Sequence, residues 1–146
     1  MDSNKKVCFV SQGNAYLASH RIRVQRVVEM LNLGVEGIEA EVHPAALSET
    51  DVNVFFKHFD VDGNLAGIHA ANKKGIATVF DVCDDHFDNP QFGSYYKAMC
   101  QSADVITCNT WKMRDRIDSL KLTEVPIIVI PMLSHSLSLN WIQKLL

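Results

Sequence analysis

Within eight residues, Asp81-Val-Cys-Asp-Asp-His-Phe-Asp88 gathers four carboxylates and an imidazole, the densest polar cluster of the chain. Carboxylates at that density could hold a divalent metal, and an Asp beside a His could move protons as general acid and base. A plainer chemistry competes, because Asp also caps turns and helix starts, so strand-end loops are often acidic without being sites. A second cluster is basic: Arg21, Arg23 and Arg26. Two guanidinium groups in the first turn of a helix, where backbone N–H groups and the dipole already favour negative charge, could receive a phosphate or carboxylate. Solvated surface arginines, or a basic turn resting on an anionic membrane surface, would read the same way.

The elements that must position these groups alternate along the chain. Lys6-Val-Cys-Phe-Val-Ser11 is a short apolar run of β-type residues that ends in the polar loop Gln12-Gly-Asn-Ala15. It predicts a strand buried on both faces with a loop at its carboxyl end. Val24, Val27, Val28 and Leu31 recur at helical spacing, so residues 19–33 are expected to be a helix, with Ser19 as its N-cap and Gly34 closing it. Further strands are expected at residues 38–43, 51–56, 76–81, 104–108 and 125–130, and helices at 64–74, 91–102 and 110–120. Strands separated by helices of this length imply right-handed crossovers. The expected fold is therefore α/β, a Rossmann-like three-layer αβα sandwich with a mostly parallel sheet of about six strands. Residues 1–131 form that domain, and 132–146 a tail in which Leu137, Trp141, Ile142, Leu145 and Leu146 could make a short amphipathic helix.

In such sheets ligands bind at the carboxyl ends of the strands, where strand order reverses. Four segments compete for that place: Ser11-Gln-Gly-Asn14, Lys57-His-Phe-Asp60, residues 81–88 and Cys108-Asn-Thr110. The first lacks the GxGxxG spacing of a dinucleotide-binding turn, and no GxxxxGK[ST] phosphate loop occurs anywhere. It also lacks the acidic pair with which a receiver domain holds magnesium.

The bulk numbers narrow the classes further. Of the 146 residues, 47% are hydrophobic and 21% charged, as in ordinary globular domains. A net charge of −3 gives no electrostatic reason to expect nucleic acid as a partner. The polar start and the shortness of the apolar run behind it are unlike a signal peptide or a membrane span, so a cytoplasmic protein is expected. Cys8, Cys83, Cys100 and Cys108 show no CxxC pair and read as buried, reduced side chains and not as zinc ligands.

Taken in order, four segments resemble those of one enzyme group. Ser19-His-Arg-Ile-Arg23 ahead of an apolar helix is similar to the "SxRxR" opening of N-terminal domains in family-four-like, GT-B-fold glycosyltransferases. Asp51-Val-Asn-Val-Phe-Phe-Lys-His58 resembles that group's "DVVVFQK" strand. Ala77-Thr-Val-Phe-Asp-Val-Cys-Asp-Asp-His-Phe87 resembles its "VFDxxDDxF" strand and loop, and Ser102-Ala-Asp-Val-Ile-Thr-Cys-Asn-Thr110, with Met113 and Ile117, its "ADxVTxxTxxLxxxI" segment. The likeness spans roughly residues 5–131 in the family's order.

The resemblance implies a Rossmann-like half of a two-domain enzyme that holds the acceptor, a sugar or a lipid-linked sugar, while the other half holds a nucleotide-sugar donor. Carried over residue by residue, it implies that Gln12, Gly13 and Asn14 lie near the donor diphosphate, where glycine permits close backbone approach. It implies that Arg21 and Arg23 line the acceptor or phosphate side of the cleft, and that His86 or the neighbouring Asp85 sits close to the reacting carbon as the catalytic group. Such enzymes stabilise the departing diphosphate with backbone dipoles and basic side chains, so neither a metal nor another cofactor is expected. No segment here matches the family's Glu-rich donor motif, and the chain is expected to be a truncated domain, a fragment or a stand-alone domain with a partner, incomplete as a transferase when alone. Two alternatives stay open from the residues. One is a non-catalytic association module that forms a homodimer through Leu137, Trp141, Ile142 and Leu145. The other is a small metal-dependent hydrolase centred on Asp81, Asp84, Asp85, His86 and Asp88.

Overall fold

The computed structural model describes residues 3–13, 16–131 and 146. Six strands, β1 (Lys5–Val10), β2 (Ile38–His43), β3 (Val52–Phe56), β4 (Ala77–Val82), β5 (Val105–Cys108) and β6 (Ile127–Val129), form one sheet in the order β2-β1-β3-β4-β5-β6. Every neighbouring pair is parallel. The helices are α1 (Ala18–His20), which runs through a π-helical turn (Arg21–Gln25) into α2 (Arg26–Gly34), then α3 (Val61–Lys73), α4 (Gly93–Ser102) and α5 (Trp111–Ser119). This is the expected α/β three-layer sandwich.

Strand burial follows from the layers. All residues of β3 and β5 are buried, while edge strand β2 alternates buried Ile38 and Ala40 with exposed Glu39 and Glu41. Val7, Phe9, Val52, Val54, Phe56 and Val79 pack on one face beneath Val24 and Leu31 of the π turn and α2. On the opposite face Cys8, Val10, Phe55 and Phe80 meet Ile68 of α3, Tyr95, Tyr96 and Met99 of α4, and Ile117 of α5. Leu146 packs against the α2 side of the core. The remaining tail residues, among them the proposed dimer contacts Leu137, Trp141, Ile142 and Leu145, lie outside the described residues.

Two helix starts differ from expectation. The first helix begins at Ala18 behind Leu17, with no side-chain cap, so Ser19 lies inside the first turn and is not the N-cap. The chain must already be helical there to turn His20 inward onto Ser11. Helix α3 begins at Val61 because the Asp60 carboxylate accepts the Gly63 N–H, a true N-cap placed ahead of the expected start. The β2–β3 crossover, residues 44–51, carries no helix. Parallel crossovers usually need one; here fully buried Asn53 holds a segment of bends and a turn instead, accepting the Leu47 N–H at 3.0 Å and donating to the Leu47 carbonyl at 3.0 Å.

Among the described residues no helix is long and apolar enough to cross a membrane. All four cysteines are free thiols. Burial pushes Cys8, Cys83 and Cys100 up to about 12 and Cys108 to about 11, which leaves them protonated and unreactive at neutral pH.

Candidate functional site

Strand order reverses between β1 and β3, because the chain moves outward to β2 from one and to β4 from the other. In open parallel sheets that is where the ligand crevice lies, here at the carboxyl ends of β1 and β3, between the loops that follow Val10 and Phe56. Both loops are tightly held. The Ser11 hydroxyl accepts the Gly13 N–H at 3.1 Å and lies 3.0 Å from His20 Nδ1. A Cβ on Gly13 would stand 2.8 Å from that same Nδ1 and 3.1 Å from the Phe59 ring, so only glycine fits. The Gln12 amide reaches Asp60 Oδ2 at 3.4 Å and ties the two loops together. Burial lowers the proton affinity of His20 and keeps the ring neutral beside Ser11.

The π turn decides what the arginines do. The Arg26 N–H donates to the Arg21 carbonyl, five residues back, which widens the helix by one residue. Consecutive Arg23 and Val24 then both face inward, while Arg21 stays exposed. Arg23 Nε and Nη2 donate to the two oxygens of Asp81 at 2.6 and 2.5 Å, and Nη1 donates to the Ile130 carbonyl at 2.8 Å. Thr107 donates to Asp81 Oδ1 at 2.6 Å from the neighbouring position on β5. The side chains of the pair are only 5% and 8% exposed. Burial works against the Arg23 charge, but the field and hydrogen bonds of Asp81 more than offset it and hold the guanidinium above its ordinary value. Arg23 is thus committed inside the fold and supports the crevice from beneath.

The acidic cluster separates in the same way. Asp84 pairs with Lys57 at 2.5 Å, and Arg116 of α5 takes Asp85 at 3.0 Å and Asp88 at 2.7 Å. With Asp81 on Arg23, all four carboxylates face cations. Among the described residues no three His, Cys, Asp or Glu side chains come together in a way that could hold a metal. The hydrolase alternative therefore has no metal-binding geometry in the loop it was centred on.

His86 sits where the β3 and β4 loops meet. Its ring lies edge-on to His58, with centroids 5.1 Å apart, and tilted against Tyr96 at 5.2 Å. His58 stacks on Phe92 at 3.9 Å, and its Nδ1 is 3.0 Å from the Tyr96 hydroxyl. Burial, then His86 and Lys57, lower the proton affinity of His58. Burial raises Tyr96 well above the usual phenol value, so its hydroxyl keeps its proton beside His58 Nδ1. Lys57 itself adopts φ 58°, a left-handed backbone that β-strand ends seldom use. Tyr95 donates to its carbonyl at 2.6 Å and is in turn held by Asn64 at 2.9 Å.

Of the residues singled out in the sequence, the structure brings Gln12, Gly13 and His86 to the carboxyl edge, with Arg21 exposed on the adjoining turn. Asp85 is beside His86 in sequence, but its carboxylate is turned away to Arg116. Asn14 lies outside the described residues. The sequence pointed to Ser11, Lys57 and His58 only as members of candidate loops, and to His20 and Tyr96 with no role of their own. Lys57 and His58 did carry a signal, since they directly follow a strand buried along its whole length. No protein-family model matches the chain, and no curated protein matches it significantly.

Proposed function

We propose that the chain is the acceptor-side domain of a nucleotide-sugar-dependent glycosyltransferase of the GT-B type. The observation that carries this reading is that the four resembling segments, far apart in sequence, bond to one another at one edge of the sheet. Arg23 of the first holds Asp81 of the third, which Thr107 of the fourth also holds, and Lys57 of the second pairs with Asp84 of the third. A doubly wound parallel sheet supports the reading by supplying a crevice at that edge.

In this reading His86 is the group that faces the reacting hydroxyl. Among the described residues no hydrogen bond reaches either of its ring nitrogens, so one is available to accept a proton. The β1 loop would receive the diphosphate, with exposed Arg21 on the helical turn that follows it. Metal plays no part in this scheme.

Amide chemical-shift mapping tests it. A panel of saccharides and nucleotide sugars is expected to perturb residues 11–13, 57–60 and 83–88 saturably, with or without EDTA. Perturbation confined to another face, or none at all, would sink the proposal. A rise in melting temperature with Mg²⁺ that Asp84→Asn removes would favour the hydrolase instead.

A further inference from the structure

Charge at the junction of the β3 and β4 loops is unevenly distributed. Asp81, Asp85 and Asp88 are taken by Arg23 and Arg116, so they do not offset the groups on the crevice side. What remains there is the Lys57 ammonium, the His58 and His86 rings and Asp84, whose side chain is 46% exposed, while Asp60 at the end of the same loop caps α3 and meets Gln12. Lys57 is aimed into this place by a strained backbone fixed by Tyr95, and strain of that kind persists where the surroundings over-determine it. His58 keeps Nε2 for a ligand because Nδ1 is spent on Tyr96, and His86 has ring nitrogens without a hydrogen-bond partner among the described residues.

We propose that Lys57, His58 and His86 form a binding site for a phosphate monoester, with Asp84 as the resident counter-ion that the phosphate displaces. An ammonium beside two imidazole rings whose centroids lie 5.1 Å apart suits a tetrahedral dianion, and protonation of His58 adds charge as the anion arrives. The groups facing His58 are His86 and Asp84 from the β4 loop, Lys57 beside it and Tyr96 from α4. By thermodynamic reciprocity, an anion that prefers the protonated ring must raise the titration midpoint of His58. That the phosphate belongs to an acceptor rests on the glycosyltransferase reading, whereas phosphate binding itself does not.

Imidazole C–H signals of the full chain, followed by NMR in a buffer without phosphate, supply the test. Inorganic phosphate is expected to shift both His58 and His86 saturably and to move the His58 midpoint upward, while equal ionic strength of chloride does neither. Lys57→Asn, a residue that tolerates the left-handed backbone, should weaken binding about tenfold, as loss of one charge-assisted contact does. Asp84→Asn, which removes the competing anion, should strengthen it several-fold. A second arm with phosphatidic acid vesicles against phosphatidylcholine vesicles separates a lipid headgroup from free phosphate, and binding in either arm with the opposite effects of the two variants supports the site. No saturable shift in either arm, or binding indifferent to both substitutions, overturns it. Phosphate binding without any saccharide response would leave this site standing and remove the glycosyltransferase reading; the reverse result would do the opposite.

Discussion

Arg23 on the π turn and Asp81 on β4 meet through two parallel hydrogen bonds of 2.6 and 2.5 Å inside the fold. The pair joins four elements, since Thr107 of β5 and the carbonyl of Ile130 beyond β6 complete its hydrogen bonds. A buried ion pair gains little over a well-packed apolar pair, because desolvation offsets most of the Coulomb attraction. Its value here is positional: it fixes the π turn, and with it the rim of the crevice, over the carboxyl end of β4.

Removing one partner should therefore be far worse than removing both. Arg23→Met leaves a buried carboxylate and Asp81→Leu a buried guanidinium, and each is expected to lower stability by about 3–5 kcal/mol. The double variant should recover most of that loss. Urea denaturation of the four proteins completes the cycle, and additive losses would show that the two side chains do not act as a unit.

How far these features were legible in the sequence depends on range. Strands β3, β4 and β5 could be read because burial on both faces demands continuous apolar runs such as Val52–Phe56. Acidic residues 81–88 read as one cluster because their partners are remote, Arg116 lying 28 residues beyond Asp88. The inward turn of Arg23 depends on an extra residue in the helix, which no helical period reveals. The left-handed Lys57 is invisible for a similar reason: its conformation is imposed by Tyr95 and Asp84 and not chosen by lysine.

Gly13→Ala is expected to displace the β1 loop. The added methyl would stand 2.8 Å from His20 Nδ1, and its other close neighbour is the Phe59 ring at 3.1 Å. Either the loop shifts or the Ser11–His20 contact breaks, at about 1–3 kcal/mol, the usual range for overpacking. Thermal melting gives the loss, and amide shifts of residues 11–13 and 57–60 locate it. Unchanged shifts at those residues would contradict the packing described.

Asn53→Leu tests the helix-free crossover. The leucine has similar volume but leaves the Leu47 N–H and carbonyl without their partner on β3. The Leu47 carbonyl keeps the Thr50 hydroxyl at 3.1 Å, so the one stranded group, the Leu47 N–H, should lower stability by about 1–3 kcal/mol. Hydrogen exchange at the Leu47 amide should accelerate by the same free energy, while amides of β5 stay protected. Equal acceleration in both places would mean that the crossover unfolds only with the whole domain.

Acid should loosen the crevice before it unfolds the sheet. His20 and His58 both have folded proton affinities below the ordinary imidazole value near 6.5, His20 through burial and His58 through burial with His86 and Lys57. In such a case the unfolded chain binds more protons than the folded one, so stability is intact above that value. It is lost as pH falls through about 6.5 toward the lower folded values, where the loss levels off. Melting temperature is thus expected to fall between pH 7 and 5, and less steeply in His58→Gln, which has one such group fewer. Hydrogen exchange corrected for its intrinsic pH dependence should rise first at residues 11–13 and 57–60, because both histidines hold those loops. A melting temperature flat across this window would show that neither ring is kept neutral by the fold.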